Sequence, residues 1–400
     1  MLEIIFIIFV LFQNIIGQLL PGFFSYWDEI LCLVLLAYYF IKTKGILQKS
    51  DFNYWVLILL AIIIGLTGDI KFGYQSSLSA ILRDIIGFIK FPVVFLCMYR
   101  SNLSDRLAKK IPSFIPYVKI YIAIVFMMGV VSLFVNTGMN QDEIRNTIHP
   151  YMFLYSHPTY LTTGIICLLC ILNAVGEAGI REDLIAIGSV VLAMRTKGLA
   201  FIAVYVFLKY GSRWVRKLQF LYWPAIMVIA FIVARSKLML YVSYSNSPRE
   251  SLYYGAINLM MNCFPIGSGF ASFASHISGR YYSTVYNIIH IAGLYDIHGD
   301  ISPDIGDAGI PYYLGQFGVL GVLCISILII KMVGLSLDNI DKTNRMKVIY
   351  LWVLIAISIP TEAILVNNGF EIAFVLALLS SLAKNISGTN RFRSIRGDMI

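Results

Sequence analysis

Arg195 and Lys197 stand in the stretch Met194-Arg195-Thr196-Lys197-Gly198, a tight turn between two short apolar segments, 183–194 and 198–210. Segments that short leave the turn below the surface of any membrane they enter. A cation at such depth costs ~2.5–3.5 kcal/mol on insertion scales. That cost is tolerated for an anion, either a carboxylate of the same chain or a ligand. Two blander readings stand beside it: a pair that snorkels to the head groups, and a single kinked helix over 183–210, which would invert the topology upstream. Other ionisable side chains fall at comparable depth: Arg83 beside Asp84, Lys90 one heptad further along the same face, Arg235 with Lys237, and Glu362 with Glu371. Internal ion pairing must account for part of this set. The cations Arg83, Arg195, Lys197, Arg235 and Lys237 nonetheless outnumber the acids near them. An excess of positive charge facing a cavity suits a diphosphate, which guanidinium groups grip with paired hydrogen bonds. A diphosphate held at a membrane face implies a polyprenyl-diphosphate lipid. In glycosyl transfer from such a donor the departing diphosphate gains negative charge, so fixed cations lower the barrier, and the attacking hydroxyl needs a base.

These residues need a membrane domain to position them. Of 400 residues, 58% are hydrophobic and only 13% charged, about half the charged share of a soluble domain. Repeated apolar runs predict an all-α, polytopic membrane bundle of about twelve transmembrane helices in a single domain, 1–400. The expected spans are 2–20, 26–41, 53–68, 78–98, 115–135, 158–175, 183–194, 198–210, 219–240, 309–330, 348–366 and 369–384. Lys and Arg crowd the connections 42–49, 100–110, 211–217 and 331–347 and the tail after 384, while 176–182 is of mixed charge. They are sparse around 21, 72, 140 and 368. The positive-inside rule then puts both termini in the cytoplasm and an extracytoplasmic loop at 241–308, with all five histidines outside. The net charge of +9 is accounted for by orientation and anionic lipid, not by nucleic acid. Five of six cysteines lie in apolar spans and Cys263 stands alone in the loop, so no disulfide framework is available.

The 241–308 loop is expected to roof a site at one face of the bundle. It carries His276, His290, His298, Arg249, Arg280 and the acids Asp296, Asp300, Asp304 and Asp307. A His or Asp here can act as base, but the histidines, with His149 and His157 elsewhere, have no metal-ligand spacing. Pro265-Ile266-Gly267-Ser268-Gly269-Phe270 reads as a plain turn rather than a phosphate cradle, since no nucleotide motif surrounds it. Tyr281, Tyr282 and Tyr286 fit sugar stacking or an interfacial belt equally. Gly315, Gly318 and Gly321 give the next helix a smooth packing face, and Asp307 sits where an acidic N-terminal cap is favourable.

Arg195-Thr196-Lys197-Gly198, Ile266-Gly267-Ser268-Gly269-Phe270 and the run from Asp307 to Gly321, set in this architecture, resemble the Wzy-type polysaccharide repeat-unit polymerases and the related O-antigen ligases of bacterial envelopes. The resemblance covers the whole chain in architecture, through short, degenerate motifs. It implies transfer of an undecaprenyl-diphosphate-linked glycan at the outer face of the inner membrane, with no cofactor or metal. Polymerases transfer it onto the next lipid-linked repeat, ligases onto lipid A core. Arg195 matches the outer arginine that binds the diphosphate. Ligases usually show His-Asn before the Gly-rich helix; here that place reads Ile305-Gly306-Asp307 and the nearest histidine is His298. Polymerase is therefore the expectation, with ligase and lipid-linked-oligosaccharide flippase or transporter as alternatives. The expected catalytic residues are Arg195, Asp307 and His298, and the expected binding residues Lys197, Arg235, Arg83, Arg249 and Arg280. The expected partners are the lipid-linked oligosaccharide, membrane lipid and a chain-length regulator protein.

Overall fold

In hydrocarbon a backbone must satisfy its own N–H and C=O groups, so long apolar runs become helices. The computed structural model describes residues 2–20, 22–46, 49–142, 144, 149–211, 248–291 and 308–397. The N-terminal run forms α1 (Leu2–Leu11) and α2 (Gln13–Leu19), and a 3-10 turn (Phe23–Tyr26) leads into α3 (Trp27–Lys42). Then come α4 (Lys49–Phe72), α5 (Leu78–Arg100), the short α6 (Leu103–Ala108), α7 (Ile111–Val131), α8 (Pro158–Val175), α9 (Ile180–Leu192) and α10 (Thr196–Tyr210). Within the loop lie α11 (Pro248–Asn262), α12 (His276–Arg280) and α13 (Val285–Ile288). The chain continues with α14 (Gly309–Ser336), α15 (Lys342–Ser358), α16 (Ile364–Asn367) and α17 (Gly369–Gly397). Among the described residues there is no strand, only one isolated bridge between Asn140 and Tyr151.

The protein is an all-α, multi-pass membrane protein. Among the described residues, five helices are long and apolar enough to cross a bilayer unaided: α4, α7, α8, α14 and α17 over Gly369–Ser387. α8 and α17 are mostly buried and form the centre, whereas only about a third of the apolar stretch of α4, α7 and α14 is buried. Val56, Leu59, Leu60 and Ile63 on α4, and Tyr117, Ile120, Ile124 and Met127 on α7, repeat at helical spacing on that exposed surface. Apolar stripes left uncovered along a membrane-length helix face lipid. The expected span 219–240 lies outside the described residues; 2–20 is divided between α1 and α2 and 348–366 between α15 and α16 by a turn at 359–363, while each of the others overlaps a single α-helix.

The two short segments are separate antiparallel helices, not one kinked rod. Lys209 Nζ, near the end of α10, donates to Asp183 Oδ2, near the start of α9, at 2.6 Å, and the hydroxyls of Tyr205 and Tyr210 donate to the same carboxylate. That closure fixes the hairpin, so the Arg195 turn lies at the opposite end, beside the N-terminus of α8. Gly198 marks the contact: a Cβ there would come within 2.8 Å of Thr162 Cγ2 on α8.

The described part of the loop, 248–291, is not a free-standing roof. α11 packs along α14, and the Gly-rich segment is wedged between α4, α5 and α14. Phe270, Phe273 and Tyr286 fill a second apolar core there with Ile64 of α4 and Phe317 of α14. Gly267 (φ 78) is obligatory, because a Cβ on it would stand 2.4 Å from the backbone nitrogen of Gly318. Gly318 is itself non-helical (φ 58, ψ −163) and interrupts α14 where Leu320 N–H donates to Pro265 O at 3.1 Å. The smooth glycine face expected over Gly315–Gly321 is therefore a socket: Gly315 admits the Phe273 ring and Gly318 opens the helix to receive the turn.

Candidate functional site

The Arg195 turn is tight because Met194 takes a left-handed conformation (φ 50) and Arg195 an extended one (φ −96, ψ 127) as the N-cap of α10. The guanidinium is almost wholly buried. Its Nη2 donates to Gln141 Oε1 at 2.6 Å and lies 2.8 Å from His157 Nε2. Both partners come from the connection between α7 and α8. There Gln141 N–H donates to Pro150 O and Met152 N–H to Met139 O, making a small hairpin, while Tyr151 N–H reaches Leu192 O at the end of α9. His157 is also the N-cap residue of α8, with Thr159 N–H at 3.3 Å from its Nδ1. A guanidinium only donates, so His157 must turn a lone pair on Nε2 toward it, which places the ring proton on Nδ1 and makes the longer 3.3 Å approach of Thr159 N–H no more than a close contact.

Two residues on, Lys197 Nζ donates to Glu362 Oε2 at 2.5 Å and to Thr163 Oγ1 at 3.0 Å. Its partner is 165 positions away, in the turn between α15 and α16. Lys197 and Glu362 side chains are 5% and 6% exposed, so the pair is a buried one. Such a pair adds little net stability, because desolvation offsets the attraction, yet removing one partner leaves a costly lone charge. The turn bearing Glu362 is gripped from two further directions. Tyr253 of α11 donates to Pro360 O at 2.6 Å, and Gly309 of α14 sits so close that a Cβ would lie 2.5 Å from the carbonyls of Ile359 and Glu362. Asn368 and Glu371, at the start of α17, are buried beside it, with Lys197 within electrostatic reach of Glu371. Glu362 Oε1, Glu371 Oε1 and both amide atoms of Asn368 are buried without hydrogen-bond partners among the described residues.

The remaining expected site residues separate into three groups. Asp307, His298, Arg235 and Lys237 lie outside the described residues, as does the side chain of Arg249. Arg83 is half-buried and stacks on Tyr26 and Tyr281, its Cζ at 5.2 and 5.6 Å from the ring centres. Arg280, at the end of α12, is exposed. No hydrogen bond or ion pair among the described residues links Arg83 or Arg280 to Arg195 or Lys197, so these two belong to the loop's flank and not to the Arg195 junction. Lys90 drops out as well, since its Nζ is 2.6 Å from Asp28 Oδ2 on α3.

The Gly-rich segment cannot cradle a phosphate. Its N–H groups are all taken: Gly267 by Cys263 O, Ser268 by Gly315 O, Gly269 by Gln316 O, Phe270 by Asp69 Oδ2 and Ala271 by Asp84 Oδ2 at 2.7 Å. This also removes Asp84 as the partner of Arg83. Sequence reasoning missed Gln141 and His157 as partners of Arg195. The one signal available was that the 132–157 connection is long and precedes a Pro-started helix.

No protein-family model and no curated protein matches this chain.

Proposed function

We propose that the protein is a glycosyltransferase of the bacterial inner membrane, a polysaccharide polymerase. It moves an undecaprenyl-diphosphate-linked glycan onto the next lipid-linked repeat at the outer face, through about twelve spans with both termini cytoplasmic. The observation that carries this reading is the Arg195 guanidinium, buried at a sunken helical turn, where its Nη2 meets Gln141 Oε1 and His157 Nε2. A buried planar fork at such a turn is placed to stabilise a diphosphate as negative charge builds on the leaving group. Lys197, neutralised by Glu362, adds less to that stabilisation than its charge alone implies.

The surface glycan of a deletion strain carrying wild type or Arg195→Ala tests this on a gel. Single repeats on their normal anchor in both the deletion and Arg195→Ala support polymerase with Arg195 in its site. Full-length polymer stranded on the lipid carrier points to a ligase instead. Repeats trapped inside the cell point to a flippase. Normal polymer from Arg195→Ala removes Arg195 from the site.

A further inference from the structure

We infer that Glu362 is the general base of the transfer, held latent by Lys197 until the donor's diphosphate draws the ammonium away. The inference rests on the transferase reading. Its first support is placement: among the described acids, Glu362 alone is ion-paired to a cation of the Arg195 turn. The second is the unspent valence of the carboxylate. Oε2 holds Lys197 at 2.5 Å, while Oε1 is shut from solvent and has no hydrogen-bond donor among the described residues. A buried acceptor without a donor is costly, and an incoming hydroxyl removes that cost.

The third support is the chemistry of the partner. A lysine ammonium is a compact charge on a flexible stem, free to change partners where a bidentate arginine is not. Thr163, whose Oγ1 is 3.0 Å from Nζ, gives it a neutral second anchor during an exchange. A diphosphate brought in by Arg195, two residues away on the same turn, carries more negative charge than one carboxylate and so competes for the ammonium. A buried carboxylate deprived of its counter-ion takes a proton more readily. Donor binding thereby switches on the base.

The step balances without any co-reactant. The acceptor hydroxyl oxygen bonds to the anomeric carbon, and the bond from that carbon to the diphosphate oxygen breaks. Its electron pair leaves with the diphosphate, and the hydroxyl proton goes to Glu362 Oε1. Arg195 and the released Lys197 hold the leaving group. Asn368, with both amide atoms buried and without partners among the described residues, can orient the hydroxyl.

The test uses the full chain in lipid nanodiscs with undecaprenyl diphosphate as the binding probe and a lipid-linked repeat for single-turnover transfer. Glu362→Gln is expected to bind the probe about tenfold tighter than wild type, because the lysine no longer has a competing carboxylate. It is expected to transfer the glycan about a hundredfold more slowly, having lost its base. A merely structural ion pair gives the opposite sign, weaker binding. Equal or weaker binding by Glu362→Gln, or undiminished transfer, overturns the inference while leaving the transferase reading intact if wild type binds the probe. A folded wild type that does not bind the probe removes both. If Glu362→Gln does not assemble, Glu362→Asp decides: wild-type binding with slowed transfer supports the base, and lost binding or full-rate transfer overturns it.

Discussion

Two places in this molecule bury carboxylates near the loop, and they spend them differently. At the wedge, Asp69 and Asp84 receive backbone N–H groups of Phe270 and Ala271, and among the described residues neither pairs with a cation. At the junction, Glu362 meets a lysine side chain, and Arg195 nearby meets Gln141 and His157. Backbone donors cannot leave without unfolding the segment that bears them, so the wedge is architecture. Side-chain partners can be exchanged for a ligand, so the junction is where chemistry is accessible. The contrast teaches that buried charge alone does not mark a site; what matters is whether its partner can move.

The sharpest way to break this contrast is at the wedge itself. Gly267→Val puts a Cβ where only 2.4 Å separates it from Gly318 nitrogen, at a φ of 78. Rigid backbone on both sides leaves no relief, and a loss of more than roughly 3 kcal/mol is expected, read as lost folded yield on size exclusion. The junction should answer in the other currency. Arg195→Lys is expected to keep wild-type yield and thermal stability yet make little polymer, since a point charge cannot reproduce the planar fork; full-length glycan on a gel contradicts the assignment. Between these extremes, His157→Ala removes an acceptor for Arg195, so polymer should shorten with a destabilisation of about 1 kcal/mol. His157→Gln, whose carbonyl can accept, should restore most of the polymer. Asp84→Asn keeps an oxygen for Ala271 N–H and should cost about 1–2 kcal/mol in melting with transfer unchanged. Arg280→Ala is expected to do least, within about 0.5 kcal/mol and with normal polymer, because the side chain is exposed and away from the junction.

How much was legible beforehand follows from the range of each signal. Hydropathy and punctuation act over neighbours, so the segments 158–175, 183–194 and 198–210 coincide closely with α8, α9 and α10. The sunken cation turn was legible for the same reason: short apolar runs flanking Arg195 and Lys197 are a local pattern. Its partners were not. Glu362 is 165 positions from Lys197 and Gln141 is 54 from Arg195, and nothing in either neighbourhood encodes the other. The Gly-rich segment was legible as a turn and illegible as a wedge, because a surface turn and a buried one need the same glycines.

The sequence by itself determined that this chain is helical and membrane-embedded, and that two cations sit at depth between two short helices, since apolar length and charge cost are properties of composition along the chain. Only the tertiary structure decided that Lys197 is neutralised by Glu362. Packing of α8, α10, α14 and α15 brings Glu362 onto Lys197 and seats Asp69 and Asp84 on the loop's backbone, and in a low-dielectric interior a charge is defined by the few groups that touch it.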